Sequence, residues 1–128
     1  MDARLRQRVW DRAANRCEYC LIPQDADPFY RFHVEHIIAR QHGGADEDSN
    51  LALACHHCNL HKGPNLTGID PQTLQIVPIL HPRRDNWNEH LLLQDGRVEG
   101  ITPVGRATAR LLQMNALGRV YLRRQVGT

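Results

Sequence analysis

The sequence predicts an α+β fold. Three observations carry that prediction. Two Cys-x-x-Cys pairs, Cys17/Cys20 and Cys55/Cys58, stand 34 residues apart (residues 21–54). β-forming segments flank a glycine-bearing loop between them. After Asn65, strand-like runs give way to a helical pattern. At 128 residues the chain is expected to form one structural domain. Residues 1–64 would be the cysteine-braced core, and residues 65–128 a strand-and-helix extension packed on it.

Each element has its own local signal. From Ala3 to Ala14, Leu5, Val9, Trp10 and Ala13 recur on one helical face, with Arg4, Arg8 and Arg12 beside them. Asn15 and Arg16 end that helix and lead into the first cysteine pair. Pro23 to Pro28, with Asp25 and Asp27, reads as a loop. Arg31 to Ile38 is a strand, since Phe32, Val34 and Ile37 favour β-structure and no breaker interrupts them. Gln41 to Asn50 holds Gly43-Gly44 and the acidic run Asp46-Glu47-Asp48, so it reads as a solvated loop. Leu51 to Ala54 is a second short strand, and His56 to Lys62 is a helix stopped by Gly63-Pro64. The local plan is strand, loop, strand, helix.

The second half is plainer. Gln75 to Leu80 is strand-like but contains Pro78, which places it at an edge. Leu91–Leu93, Asp95-Gly96, Val98 and Ile101 predict a tight hairpin. Thr102-Pro103 starts a helix with a threonine cap and proline in the first turn. Val104, Ala107, Leu111, Leu112 and Met114 give it an apolar face. Asn115 and Gly118 are expected to break it before a last amphipathic turn or two around Val120–Leu122.

Composition narrows the function classes. Basic residues number 16 and acidic residues 14, and Lys62 is the only lysine. Arginine presents a planar fork suited to bidentate phosphate contacts. The arginine groups at Arg4/Arg6/Arg8, Arg83-Arg84 and Arg119/Arg123-Arg124 could each track a nucleic-acid backbone, with a solvated face as the default for any one. Apolar runs such as Leu91–Leu93 are far too short to span a bilayer, so no membrane partner is expected. No signal peptide is evident at the start, and a cytoplasmic location follows as an expectation. Four cysteines could form two disulfides in a secreted chain. Two tight pairs without an export signal favour zinc thiolates instead, with Cys17, Cys20, Cys55 and Cys58 as the ligands of a structural Zn²⁺. Four thiolates close the coordination sphere, so that ion would brace rather than catalyse.

The segments Val34-Glu-His-Ile-Ile38, Gly43-Gly44, Asn50-Leu-Ala-Leu53 and Cys55-His-His-Cys-Asn-Leu-His-Lys62 together resemble the HNH endonuclease family. The resemblance covers roughly Arg8 to Gly63. It implies a small ββα-metal (His-Me finger) core holding one catalytic divalent ion, Mg²⁺ or Mn²⁺. By this resemblance His36 takes the place of the general base, and Glu35 and Asn59 those of the metal ligands. Asn50 would brace the loop and the histidine. It also implies a 5′-phosphate and a 3′-hydroxyl as products. The chemistry of these side chains is compatible: imidazole titrates near neutrality, and a carboxylate and an amide oxygen suit a hard cation.

Two departures stand out: Glu35 where the family often has aspartate, and Asn59 where it often has histidine. Glu35 and His36 would also face opposite sides of a regular strand, so both reach one site only if the strand bends or ends there. His61 is a candidate further metal ligand or phosphate contact, and Arg40 and Lys62 are candidate nucleic-acid contacts. His33, His42, His56 and His57 read as surface or packing residues. The expected partner is nucleic acid, double-stranded DNA in particular, and a homodimer through the C-terminal region is compatible with that. The rival is a zinc-stabilised nucleic-acid-binding module without chemistry.

Overall fold

Helix α1 (Ala3–Ala13) begins where the Asp2 carboxylate accepts the Leu5 amide at 2.9 Å and buries Val9 against the core. The computed structural model, which describes residues 1–127, follows it with a cysteine knuckle and then an antiparallel pair. Strand β1 (His33–His36) pairs with β2 (Leu51–Ala54) in the register His33↔Ala54, Glu35↔Ala52 and His36↔Leu51. All four residues of β2 are buried. Helix α2 (His56–Lys62) packs on both strands. Its N-cap is Cys55, whose Sγ accepts the Cys58 amide.

The second half adds two more two-stranded sheets. Strands β3 (Thr67–Ile69) and β4 (Ile76–Pro78) are antiparallel. After the single turn α3 (Trp87–His90), β5 (Leu91–Gln94) and β6 (Arg97–Gly100) form a hairpin. Its two-residue loop is Asp95-Gly96, both at positive φ (52° and 76°), the backbone that matches strand twist in a tight hairpin. Helix α4 (Pro103–Leu111), capped by Thr102, lies across β3, β4 and β6, and α5 (Leu117–Gln125) closes the chain.

Both halves contribute to one core. Val9, Tyr19, Ile22, Leu51 and Leu53 cluster with Leu80, Leu91, Val98, Leu112 and Met114. The Trp87 indole N–H donates to the Tyr19 carbonyl at 2.8 Å, and the His57 imidazole meets the Gln113 carbonyl at 2.8 Å. Glu18 pairs with Arg83, and Asp27 with Arg119 at 3.4 Å. No described helix is long and apolar enough to cross a membrane.

The architecture is the mixed α and β arrangement expected, consistent with a ββα-metal unit, and the differences are local. Strand β1 is shorter than Arg31 to Ile38 because β2 offers only four partners. Beyond His36 the ladder is replaced by Asn50, whose backbone and side-chain oxygens take the Ile37 and Ile38 amides, each at 2.8 Å. Gly118 does not break a helix. It sits in the first turn of α5, and the break lies earlier, at Gln113 with φ 46°. Strand β3 and the single turn α3 were not expected. Gly68 dilutes the β signal of the first, and four residues are too few for helical periodicity to register in the second.

Candidate functional site

The first knuckle is a tight turn. The Cys17 amide donates to the Ile22 carbonyl and the Leu21 amide to the Cys17 carbonyl, both at 2.9 Å, with Leu21 in the left-handed region at φ 67°. The second is the start of α2. Their four Sγ atoms are buried and lie within 4.8 Å of one another, with Cys20 and Cys55 3.8 Å apart. Four sulfurs about 2.3 Å from a tetrahedral zinc would stand roughly 3.8 Å from each other. The Cys20 and Cys58 amides point at the sulfurs of Cys17 and Cys55, at 3.5 and 3.3 Å. All four cysteines are free of disulfides. Burial pushes the Cys17 thiol up, while the hydrogen bond with Cys17 is the first of several that push the Cys20 thiol down. A bound cation is what would hold four adjacent buried thiolates ionised together. Charge, geometry and burial of this donor set fit a structural zinc site.

Glu35, His36 and Asn59 line one solvent-open cleft of about 520 Å³, together with Arg6, Arg40 and Gly63. The opposite-face difficulty resolves because His36 is the last residue of β1 and the chain turns after it. Asn59, on the first turns of α2, faces the cleft across from the strand end. Among the described residues no hydrogen bond holds its side-chain amide. A carboxylate and an amide oxygen on one open wall make a donor set suited to a hard divalent ion that keeps water or phosphate as further ligands.

Glu35 is 7% exposed and clamped from two sides. The Tyr19 hydroxyl donates to Oε1, and the Lys62 ammonium stands 3.4 Å from Oε2. Tyr19 projects from the first knuckle and Lys62 from the helix that begins at the second. The zinc-site scaffold therefore fixes this carboxylate through both of its halves. Burial pushes the Glu35 carboxyl up, opposed first by the Lys62 charge. Burial and the Glu35 charge push the Tyr19 phenol well up, so it stays a donor.

The histidine is held from the loop. His36 Nε2 lies 2.6 Å from Asp46 Oδ1. Arg40 Nη2 reaches the same carboxylate at 3.1 and 3.2 Å, and the Met1 amino group is 3.7 Å away. The bond from His36, then that from Arg40, hold the Asp46 carboxyl down at about 2. Asn50 ties the loop together, its Nδ2 donating to the carbonyls of Ile38 and Ala45 at 3.0 Å each. Gly44 lets the loop close: a Cβ there would sit 1.6 Å from the Ile38 carbonyl oxygen.

Other expected residues lie elsewhere. Lys62, expected at a phosphate, is 1% exposed and donates to the Ile37 carbonyl at 2.9 Å besides pairing with Glu35. It is turned inward because α2 packs this face on β1. His61, expected as a further ligand, packs its ring at a tilt against His57 on another face of α2, its Nδ1 2.8 Å from the His57 carbonyl. Of the arginines expected to be solvated or on a backbone, Arg83 and Arg119 pair with Glu18 and Asp27, and Arg123 is buried against the Gly96 carbonyl at 2.6 Å. Two residues of the site went unread in the sequence: Tyr19 lay hidden between two cysteines, and Asp46 looked like part of a solvated acidic run. Lys62 was read as a nucleic-acid contact, and its pairing with Glu35 was missed. Only the acidic run beside a Gly-Gly hinted at Asp46.

The model of the HNH endonuclease family matches residues 17–65, the stretch that contains both knuckles, β1, β2 and α2. No curated protein and no solved structure matches the chain.

Proposed function

We propose that this protein is a metal-dependent endonuclease that hydrolyses phosphodiester bonds of nucleic acid, double-stranded DNA foremost, in a reducing cytoplasm. One observation carries the reading: Glu35, His36 and Asn59 line a single open cleft inside the segment that matches the HNH family. In this reading Glu35 and Asn59 would hold one Mg²⁺ or Mn²⁺. Bound there, such an ion supplies Lewis-acid stabilisation of the leaving oxygen. His36 accepts a proton from the attacking water at Nδ1, the nitrogen left without a protein partner when Nε2 meets Asp46. Arg40 and Arg6, on the rim of the cleft, contact phosphate. A single site of this kind nicks one strand, and a double-strand break takes two copies, as in a homodimer.

A second reading is a zinc-stabilised nucleic-acid-binding module without catalysis. What favours it is the engagement of both Glu35 oxygens by Tyr19 and Lys62, which a purely structural carboxylate would also display. The discriminating experiment treats supercoiled plasmid, linear duplex, single-stranded DNA and RNA with zinc-loaded protein and added Mg²⁺, Mn²⁺ or no second metal. The nuclease reading expects open-circle plasmid only with the second metal. Retarded but uncut plasmid under every condition would establish the binding module instead.

A further inference from the structure

We infer that Asp46 is a positioning residue that sets which nitrogen of His36 faces the reacting water, and that Arg40 holds Asp46 in place to do so. The inference rests on the nuclease reading for its catalytic consequence, though not for its geometry. Asp46 is ionised and can only accept, so at 2.6 Å the proton of the neutral imidazole sits on Nε2 and the lone pair on Nδ1. The second nitrogen has no partner among the described residues. A histidine that is to take a proton from water needs one nitrogen bare and the ring fixed, and an acidic partner on the other nitrogen provides both.

The carboxylate is itself fixed. Arg40 donates to both of its oxygens, at 3.1 and 3.2 Å. The loop beneath is tied by Asn50 to Ile38 and Ala45 and has no room for a side chain at Gly44. Ala45 is the residue next to Asp46, so the Asn50 bond anchors the loop one residue from the working group. Asp46 therefore belongs to the site, although it stands ten residues after His36 in an acidic run.

The test compares zinc-loaded full-length wild type, Asp46→Ala and Asp46→Asn. Single-turnover nicking is measured at saturating DNA and Mn²⁺. Mn²⁺ affinity and DNA affinity are measured separately. The His36 ring nitrogens are followed by long-range ¹H–¹⁵N correlation. Asp46→Ala is expected to lower the single-turnover rate by about tenfold or more, with both affinities unchanged and Asp46→Asn in between. In the spectra, wild-type His36 is one Nε2–H species, and Asp46→Ala gives an averaged ring. An unchanged rate, or a loss wholly accounted for by weaker DNA or metal binding, overturns the inference. If the wild type cuts no nucleic acid, the nuclease reading fails, yet the spectra still decide the positioning. An Nε2–H species lost on removing Asp46 upholds it, and identical spectra overturn it.

Discussion

Glu35 sits where two demands on a carboxylate compete. It is buried, which disfavours its charge and pushes its carboxyl up, while the nearly inaccessible Lys62 and then the Tyr19 hydroxyl favour the charge. Removing one partner of such a pair strands the other charge, at a cost of about 3–5 kcal/mol, whereas replacing both can be nearly neutral. Glu35→Gln is therefore expected to lower unfolding stability by about 3 kcal/mol. The double variant Glu35→Gln/Lys62→Met should recover most of that in urea titrations while remaining unable to bind Mn²⁺. Recovery of Mn²⁺ binding in the double variant would remove Glu35 from the metal site. At this scale the sequence displayed residue types well and their directions poorly. Glu35, His36, Asn50 and Asn59 could be marked through the family resemblance that the motifs around them carry. That Lys62 turns inward and Asp46 turns to His36 depends on how α2 and the loop fold back, which no local pattern encodes.

At the scale of elements, the loop between β1 and β2 carries the most constraint per residue. Gly44→Ala places a Cβ 1.6 Å from the Ile38 oxygen and 2.8 Å from Asn50 Nδ2. Forced overpacking of this kind costs about 1–3 kcal/mol. The variant should lose that much stability and also loosen Asp46, seen as the averaged His36 ring described above. A normal melting curve and an unaltered ring would show that the loop is not packed as described.

In the extension, Asp70 is wholly buried and accepts a two-pronged bond from Arg106 at 2.9 and 3.0 Å, joining the β3–β4 turn to α4. Arg106 holds the Asp70 carboxyl well below the usual carboxylate range. A depressed native value means this stabilisation is complete above about pH 4, the unfolded value, and is lost as the pH falls through the native one. Asp70→Asn should therefore be less stable than wild type at pH 7, with the gap narrowing in strong acid. An equal gap at pH 7 and pH 2 in denaturant titrations would contradict the assignment. The strands and helices with strong local signals, β2, α2, the β5–β6 hairpin and the Thr102 cap, were legible. β3 and α3 were not, because three or four residues gain their structure from α4 and from Trp87 reaching Tyr19 rather than from their own pattern.

Across the whole molecule, the two halves share one core and the zinc-site scaffold holds the cleft. A chain ending at Gly63 would leave Tyr19, Leu51 and Leu53 without Leu80, Leu91, Leu112 and Met114, so it is expected to be unfolded or aggregated even with zinc supplied. A cooperative melt from that fragment would contradict this. Structural zinc in small domains is worth about 10–16 kcal/mol, so a chelator strong enough to strip it should unfold the protein, and Mg²⁺ alone should not restore it. The knuckle spacing announced the zinc site because four cysteines suffice to define it. That the extension packs on the first half was expected from the chain's length, but which residues meet across that packing was not, since long-range packing leaves no periodic trace. The proposed catalysis depends on His36 acting beside Glu35 and Asn59. Its most direct test is the conversion of supercoiled plasmid to open circle by wild type and His36→Ala, matched for zinc content and melting behaviour, in Mg²⁺ or Mn²⁺. Nicking by the wild type and a loss of roughly 10²–10⁴-fold in the variant are expected. Equal nicking by the two proteins would contradict that role for His36.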